Sequence, residues 1–177
     1  MSDYYEIGGD SMTVTTEVLA TQLGIDTQVV FEFFVVFSRF EYALKRTGYL
    51  KTPDGLAEAS WDKFADELEG QFATLSTPEF KHSQRFLCDH PPKRQWVEAR
   101  VLRWQETPRN GKSDEKYTLR LVRNVRNNLF HGGKYPTPDG PVSEPGRDRD
   151  LLRACVEILR ACLSLNAELE RVYSDMS

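Results

Sequence analysis

The chain has 177 residues, 40% of them hydrophobic and 28% charged, which suits one soluble domain with a real core. It contains no run of 18 or more apolar residues and no basic-then-apolar leader, so the expectation is a protein that neither crosses a membrane nor is secreted. Three cysteines, Cys88, Cys155 and Cys162, show no framework or metal spacing and suit a reducing, cytoplasmic compartment.

In chain order, residues 1–11 are small and polar with Gly8-Gly9, and read as flexible. Val14, Val18, Leu19 and Leu23 give residues 12–23 the spacing of a short amphipathic helix that Gly24 would end. Asp26 or Thr27 can cap a longer helix running to about Thr47, with Gly48 as its stop. Its apolar stripe, Val30, Phe33, Phe37, Phe40 and Leu44, is joined by Phe31, Phe34, Val35 and Val36 on other faces, which reads as a central, buried helix. Glu32, Arg39 and Glu41 are its notable polar residues, and the spacing suggests a Glu41–Lys45 pair on the wet edge. Ser60 caps a helix through Trp61, Phe64, Leu68 and Phe72, and Thr77-Pro78 opens another that ends near Leu87. After the Pro91-Pro92 break, residues 94–105 read as helix, with Trp96, Val97, Val101 and Trp104 apolar.

Pro108-Arg109-Asn110-Gly111 is a turn, and Ser113 caps the helix that carries most of the chemistry. Residues 132–146 hold four prolines and four glycines and read as a loop. Residues 147–173 then read as one long helix whose seam is Leu151, Cys155, Ile158, Cys162, Leu165, Leu169 and Val172. Both seam cysteines read as small core residues. No alternating apolar run stands out as a strand. The expected fold is therefore all-α: one domain over 1–177, a bundle of about five helices with a long C-terminal one.

Charge is unevenly spread. The net charge is −4, yet residues 93–134 hold eleven Lys/Arg against four Asp/Glu, leaving −11 for the remainder. An acidic chain with one basic segment points to a local anionic ligand. On the helix after Ser113, Thr118, Leu121, Val122, Val125 and Leu129 share the inward face, while Lys116, Arg120, Arg123, Asn127 and His131 follow one another on the opposite face. Arg126 falls at the margin between the faces, where a guanidinium lies against apolar surface and is partly desolvated. On an ideal helix Arg126 and His131 stand about 140° apart. Three arrangements can join them: the backbone swings the imidazole round at the helix end, the arginine stem curls over, or two copies of the helix share one site.

Arg126-Asn127-x-x-x-His131, within Val-Arg-Asn-Asn-Leu-Phe-His-Gly-Gly, resembles the R-x(4–6)-H motif of the HEPN superfamily in its variant with a polar residue after the arginine. The early aromatic segment Phe37-Ser38-Arg39-Phe40-Glu41-Tyr42-Ala43-Leu44 is similar to a helix of such proteins. The likeness is sharp over about 20 residues and general elsewhere. It implies a helical bundle that homodimerises and a metal-independent endoribonuclease of toxin–antitoxin or phage-defence type, held in check by an antitoxin or regulatory partner. It also implies a composite cleft in which the motif arginines and histidines of two protomers meet. Other family members have lost catalysis, so the alternative implied is a non-catalytic binding or assembly module in a larger defence or regulatory complex.

The residue types fit the chemistry. RNA supplies its own nucleophile, the 2′-hydroxyl, so cleavage needs a base, an acid and a stabiliser of phosphorane charge, and no cofactor or metal. An imidazole titrates near neutrality, which makes His131 the candidate base or acid. Arg126 can donate two hydrogen bonds to phosphorane oxygens but cannot take a proton. Asn127 can orient the phosphate or the imidazole. Arg120, Arg123 and Lys134 are the candidate RNA-backbone contacts. The plainer alternative makes His131 a helix C-cap and Arg126 half of a structural ion pair. Gly132-Gly133-Lys134 lacks the pattern of a phosphate loop, and Cys88, His82 and His90 lack zinc spacing.

Overall fold

The computed structural model describes residue 21 and residues 24–131 and 144–175. The described chain is mainly α, with six helices and one two-stranded antiparallel sheet. In order these are α1 (Thr27–Arg46), α2 (Trp61–Glu67), α3 (Pro78–Asp89), β1 (Arg94–Glu98), β2 (Val101–Gln105), α4 (Asp114–Phe130), α5 (Pro145–Leu163) and α6 (Ala167–Ser174). A 3-10 turn, Gln71–Thr74, stands between α2 and α3. The flexible segment 1–11, nearly all of the helix expected over 12–23, and most of the 132–146 loop, Lys134 included, lie outside the described residues.

Side-chain caps set the helix starts. Asp26 accepts the N–H of Gln28 at 2.8 Å, Thr77 that of Phe80 at 3.4 Å, Ser113 that of Lys116 at 3.3 Å and Asn166 that of Leu169 at 2.9 Å. Each satisfies one N–H that the first helical turn leaves without an intrahelical partner. Gly48, at φ +89°, follows α1, and Gly70, at φ +82°, reverses the chain after α2. That reversal splits the helix expected from Ser60 to Phe72 into α2 and the 3-10 turn.

The core forms where α1 meets α2 and α5. Phe37 and Phe40 stack on the Trp61 indole with ring centroids 5.2 and 5.4 Å apart, and Phe64 meets Phe40 edge-on. Leu151, Cys155, Ile158, Leu159 and Cys162 of α5 are all buried, and α5 packs against both α1 and α3. Burial pushes the Cys155 and Cys162 thiols far above the ordinary range, as befits small core residues. The most buried helix is thus α5. Helix α1, expected to be central, buries one face only. Phe31 is 67% exposed, with Phe34 and Val35 also open, because α2, α5 and α6 all pack on its other side.

Two further expectations are corrected. Residues 94–105 form a β-hairpin instead of a helix. Trp96, Val97, Val101 and Trp104 do recur at helical spacing, but β-branched and aromatic residues fit a pleated strand at least as well. The two-residue connection, Ala99-Arg100, takes φ of 48° and 64°, the double left-handed turn that matches strand twist. Second, the long C-terminal helix is two helices. Asn166 leaves the helical path to cap α6, and its amide also donates to the Tyr49 hydroxyl at 3.0 Å. Asparagine bonds backbone locally and so favours caps over helix interiors. Leu169 stays buried beyond the break, so the apolar seam survives it.

Candidate functional site

Helix α4 turns its apolar face inward as the spacing required. Thr118, Leu121, Val122 and Val125 are buried and Leu129 packs against the core. Buried Glu115 accepts the N–H of Phe72 at 3.0 Å and ties the helix start to the 3-10 turn. Two clefts then open along the outer face of α4. The first, of 520 Å³, lies between α4 and α2 and is lined by Lys112, Lys116, Arg120, Arg123, Asn124 and Asn127 opposite Asp62 and Asp66. The second, of 380 Å³, lies between α4, α1 and residues 51–61, and is lined among others by Arg126, Asn127, Arg123, Glu41, Lys45 and Lys51. Arg123 and Asn127 border both, so the clefts meet across α4.

Arg126 sits at the centre of the second cleft. Its guanidinium lies over the Phe37 ring at 5.2 Å, its Nη2 donates to Glu41 Oε2 at 3.4 Å and its Nη1 donates to Asn127 Oδ1 at 3.0 Å. Its side chain is 30% exposed, so it is partly desolvated yet open to the cleft. Such a guanidinium is held in one orientation and keeps donors to spare. Glu41 is fixed in turn, because its Oε1 accepts the Trp61 indole N–H at 2.9 Å. The expected Glu41–Lys45 pairing therefore gives way: Glu41 turns to Trp61 and Arg126.

The basic stripe is less free than its spacing implied. Lys116 pairs with Asp66, whose hydrogen bond and charge hold the ammonium above its usual range. Arg123 approaches Asp62 at 3.7 Å, and Lys51 pairs with Glu58. Arg120, Lys112 and Lys45 face the clefts with no carboxylate partner among the described residues. The two clefts together present seven Lys/Arg against four Asp/Glu. Among the described residues no group of three or more His, Cys, Asp or Glu is placed to hold a metal ion.

His131 is the C-cap of α4, with φ −109° and ψ 29°, and its N–H donates to the Asn127 carbonyl at 2.9 Å. The imidazole is exposed and lines neither cleft. The structure thus joins Arg126 and Asn127, places Arg123 and Arg120 beside them, and leaves His131 at the helix end, outside the Arg126 cleft. Next to His131, Phe130 is 46% exposed and meets exposed Phe34 of α1 edge-on at 5.7 Å.

Glu41, Phe37 and Trp61 were not read from the sequence as parts of this site. The signal was present but indirect: an arginine at an apolar margin needs a fixed anion, and Glu41 is the one carboxylate in the aromatic segment 37–44. No helix among the described residues is long and apolar enough to cross a membrane. No protein-family model, curated protein or solved structure matches the chain.

Proposed function

We propose that this chain is a metal-independent endoribonuclease of the HEPN type, active as a homodimer. The observation that carries the reading is the arrangement of Arg126: a guanidinium held over Phe37 by Glu41 and Asn127, in the second of two adjoining cation-rich clefts, with an exposed imidazole just beyond at the helix end. In the reaction, His131 takes the proton of a 2′-hydroxyl, whose oxygen attacks the adjacent phosphorus. The 5′-oxygen departs with a proton delivered by a second imidazole. Arg126 donates to the phosphorane oxygens as negative charge builds there, and Asn127 fixes the guanidinium and the phosphate. Arg120, Arg123 and Lys134 neutralise flanking phosphates. The products are a 2′,3′-cyclic phosphate and a 5′-hydroxyl, and DNA resists for want of the nucleophile.

One chain supplies one motif imidazole, that of His131, and it lies outside the Arg126 cleft. A second copy provides the missing acid or base. The exposed Phe31, Phe34, Val35 and Phe130 give it an apolar patch to cover, continuous with His131. An enzyme of this kind in the cytoplasm requires restraint by an antitoxin or regulatory partner. The test is digestion of mixed RNA in EDTA by the wild type and by Arg126→Ala and His131→Ala. Expected are cyclic-phosphate ends from the wild type and rates reduced at least about 100-fold in each variant. Absence of cleavage by the wild type, or equal cleavage by the variants, overturns the assignment.

The second reading is a non-catalytic module of the same fold type. It is favoured by the internal ion pairs Arg126–Glu41, Arg123–Asp62 and Lys116–Asp66, which would then be structural. It expects anion binding along α4 without turnover.

A further inference from the structure

The β-hairpin is the largest departure from an all-helical chain, and the cleavage chemistry above makes no use of it. Its register pairs Arg94 with Gln105, Trp96 with Arg103 and Glu98 with Val101, and alternation places these six side chains on one face, with Glu98 at the turn end. Trp96 is 46% exposed, a large aromatic left open to solvent. The Arg94 guanidinium lies over its ring at 5.0 Å, and Arg103 stands directly across the ladder. Arg100 occupies the turn. Lys93 pairs with Glu106 at 3.2 Å, whereas Arg100 and Arg103 have no carboxylate partner among the described residues. An exposed indole between guanidiniums suits a base that stacks while the neighbouring phosphates are neutralised.

The base of the hairpin is fastened to α4. Asn128 donates to the Lys93 carbonyl at 2.7 Å, Asn124 to Thr107 Oγ1 at 2.9 Å, and the Tyr117 hydroxyl to the Thr107 carbonyl at 3.1 Å. Asn124 also lines the first cleft, so hairpin and cleft share a residue. At about 100° per residue, the outer surface of α4 runs in angular order from Arg126 through Arg123, Asn127, Arg120 and His131 to Asn124, with buried Asn128 beyond it under the hairpin base. A strand crossing the helix from the Arg126 cleft past His131 therefore arrives at the hairpin.

We infer that the Trp96–Arg103 face of this hairpin is a binding arm for single-stranded RNA, on which Trp96 stacks an unpaired base and Arg103 and Arg100 contact the backbone. The inference rests on the ribonucleolytic reading for the identity of the strand. It selects unpaired substrate, because a base within a duplex exposes no face to stack. Trp96 is thereby a specificity determinant for single-stranded over double-stranded RNA.

The test uses a fluorescein-labelled 2′-O-methyl RNA 12-mer, which has no free 2′-hydroxyl to attack, with binding read by anisotropy on the full chain. Expected for Trp96→Ala is a loss of affinity of about 10-fold or more, with Trp96→Phe restoring most of it. Arg103→Ala should weaken binding and reduce the slope of log affinity against log salt by about 0.7. Val97→Ser, on the other face of the hairpin, should bind as the wild type does. Circular dichroism confirms that each variant folds. Equal affinity for Trp96→Ala and wild type, equal competition by a duplex, or no binding by the wild type overturns the inference. RNA cleavage in EDTA, measured on the same preparations, reports on the nuclease separately. Cleavage without hairpin-dependent binding sinks the arm and leaves the enzyme, while hairpin-dependent binding without cleavage supports the arm and sinks the enzyme.

Discussion

Arg126 is held by three different physical contacts, and each has a separable role. The Phe37 face supplies cation–π attraction, Asn127 supplies a neutral acceptor, and Glu41 supplies the counter-charge. Glu41 also accepts the Trp61 N–H, so Glu41→Gln is the informative substitution: it keeps an acceptor for the indole and removes the anion. A partly exposed ion pair contributes modestly, so the fold should survive. On the proposed nuclease reading, loss of the competing carboxylate should tighten RNA binding about threefold. Turnover should fall about tenfold, because the guanidinium loses its fixed orientation. Steady-state KM and kcat on a short RNA check both directions, and a variant with unchanged kcat removes Glu41 from any positioning role. The sequence marked Arg126 as desolvated because helical periodicity put it at an apolar margin. It could not supply the partner, since Glu41 lies 85 positions away and only packing of α1 on α4 brings the two together.

At the scale of elements, start signals were legible and interiors less so. Ser60, Thr77 and Ser113 cap the helices they were expected to cap, and Asp26 is the cap where Asp26 or Thr27 was expected, because a cap is a local hydrogen bond written in neighbouring residues. The hairpin is not legible from spacing because its apolar positions satisfy a helical period while its residue types favour strands. Its turn keeps Ala99 and Arg100 in a left-handed conformation that a Cβ disfavours. Asparagine tolerates that region better, so Ala99→Asn should stabilise the protein by about 0.5 kcal/mol or more, read as a raised thermal midpoint. A lowered midpoint would mean that the turn is not set by these dihedrals. The C-terminal break at Asn166 was likewise hidden, because the apolar spacing runs on across it.

For the whole molecule, the exposed aromatics decide the next experiment. Phe31, Phe34, Val35 and Phe130 form an open patch next to His131, while α5 takes the central position. If a second copy covers that patch, Phe34→Glu should give a folded monomer by light scattering that cleaves RNA at least about 100-fold more slowly. A dimer that persists with full activity would place the interface elsewhere. The sequence by itself determined the helical character, the starts of α1 to α4, the basic outer face of α4 and the position of Arg126 at its margin. All of these are encoded within a few residues by periodicity and capping. Only the tertiary structure decided that α5 and not α1 is central, that residues 94–105 pair as strands, and that Glu41, Phe37 and Asn127 fix Arg126 while His131 stands apart. These depend on contacts between residues distant in the chain, which no local pattern specifies.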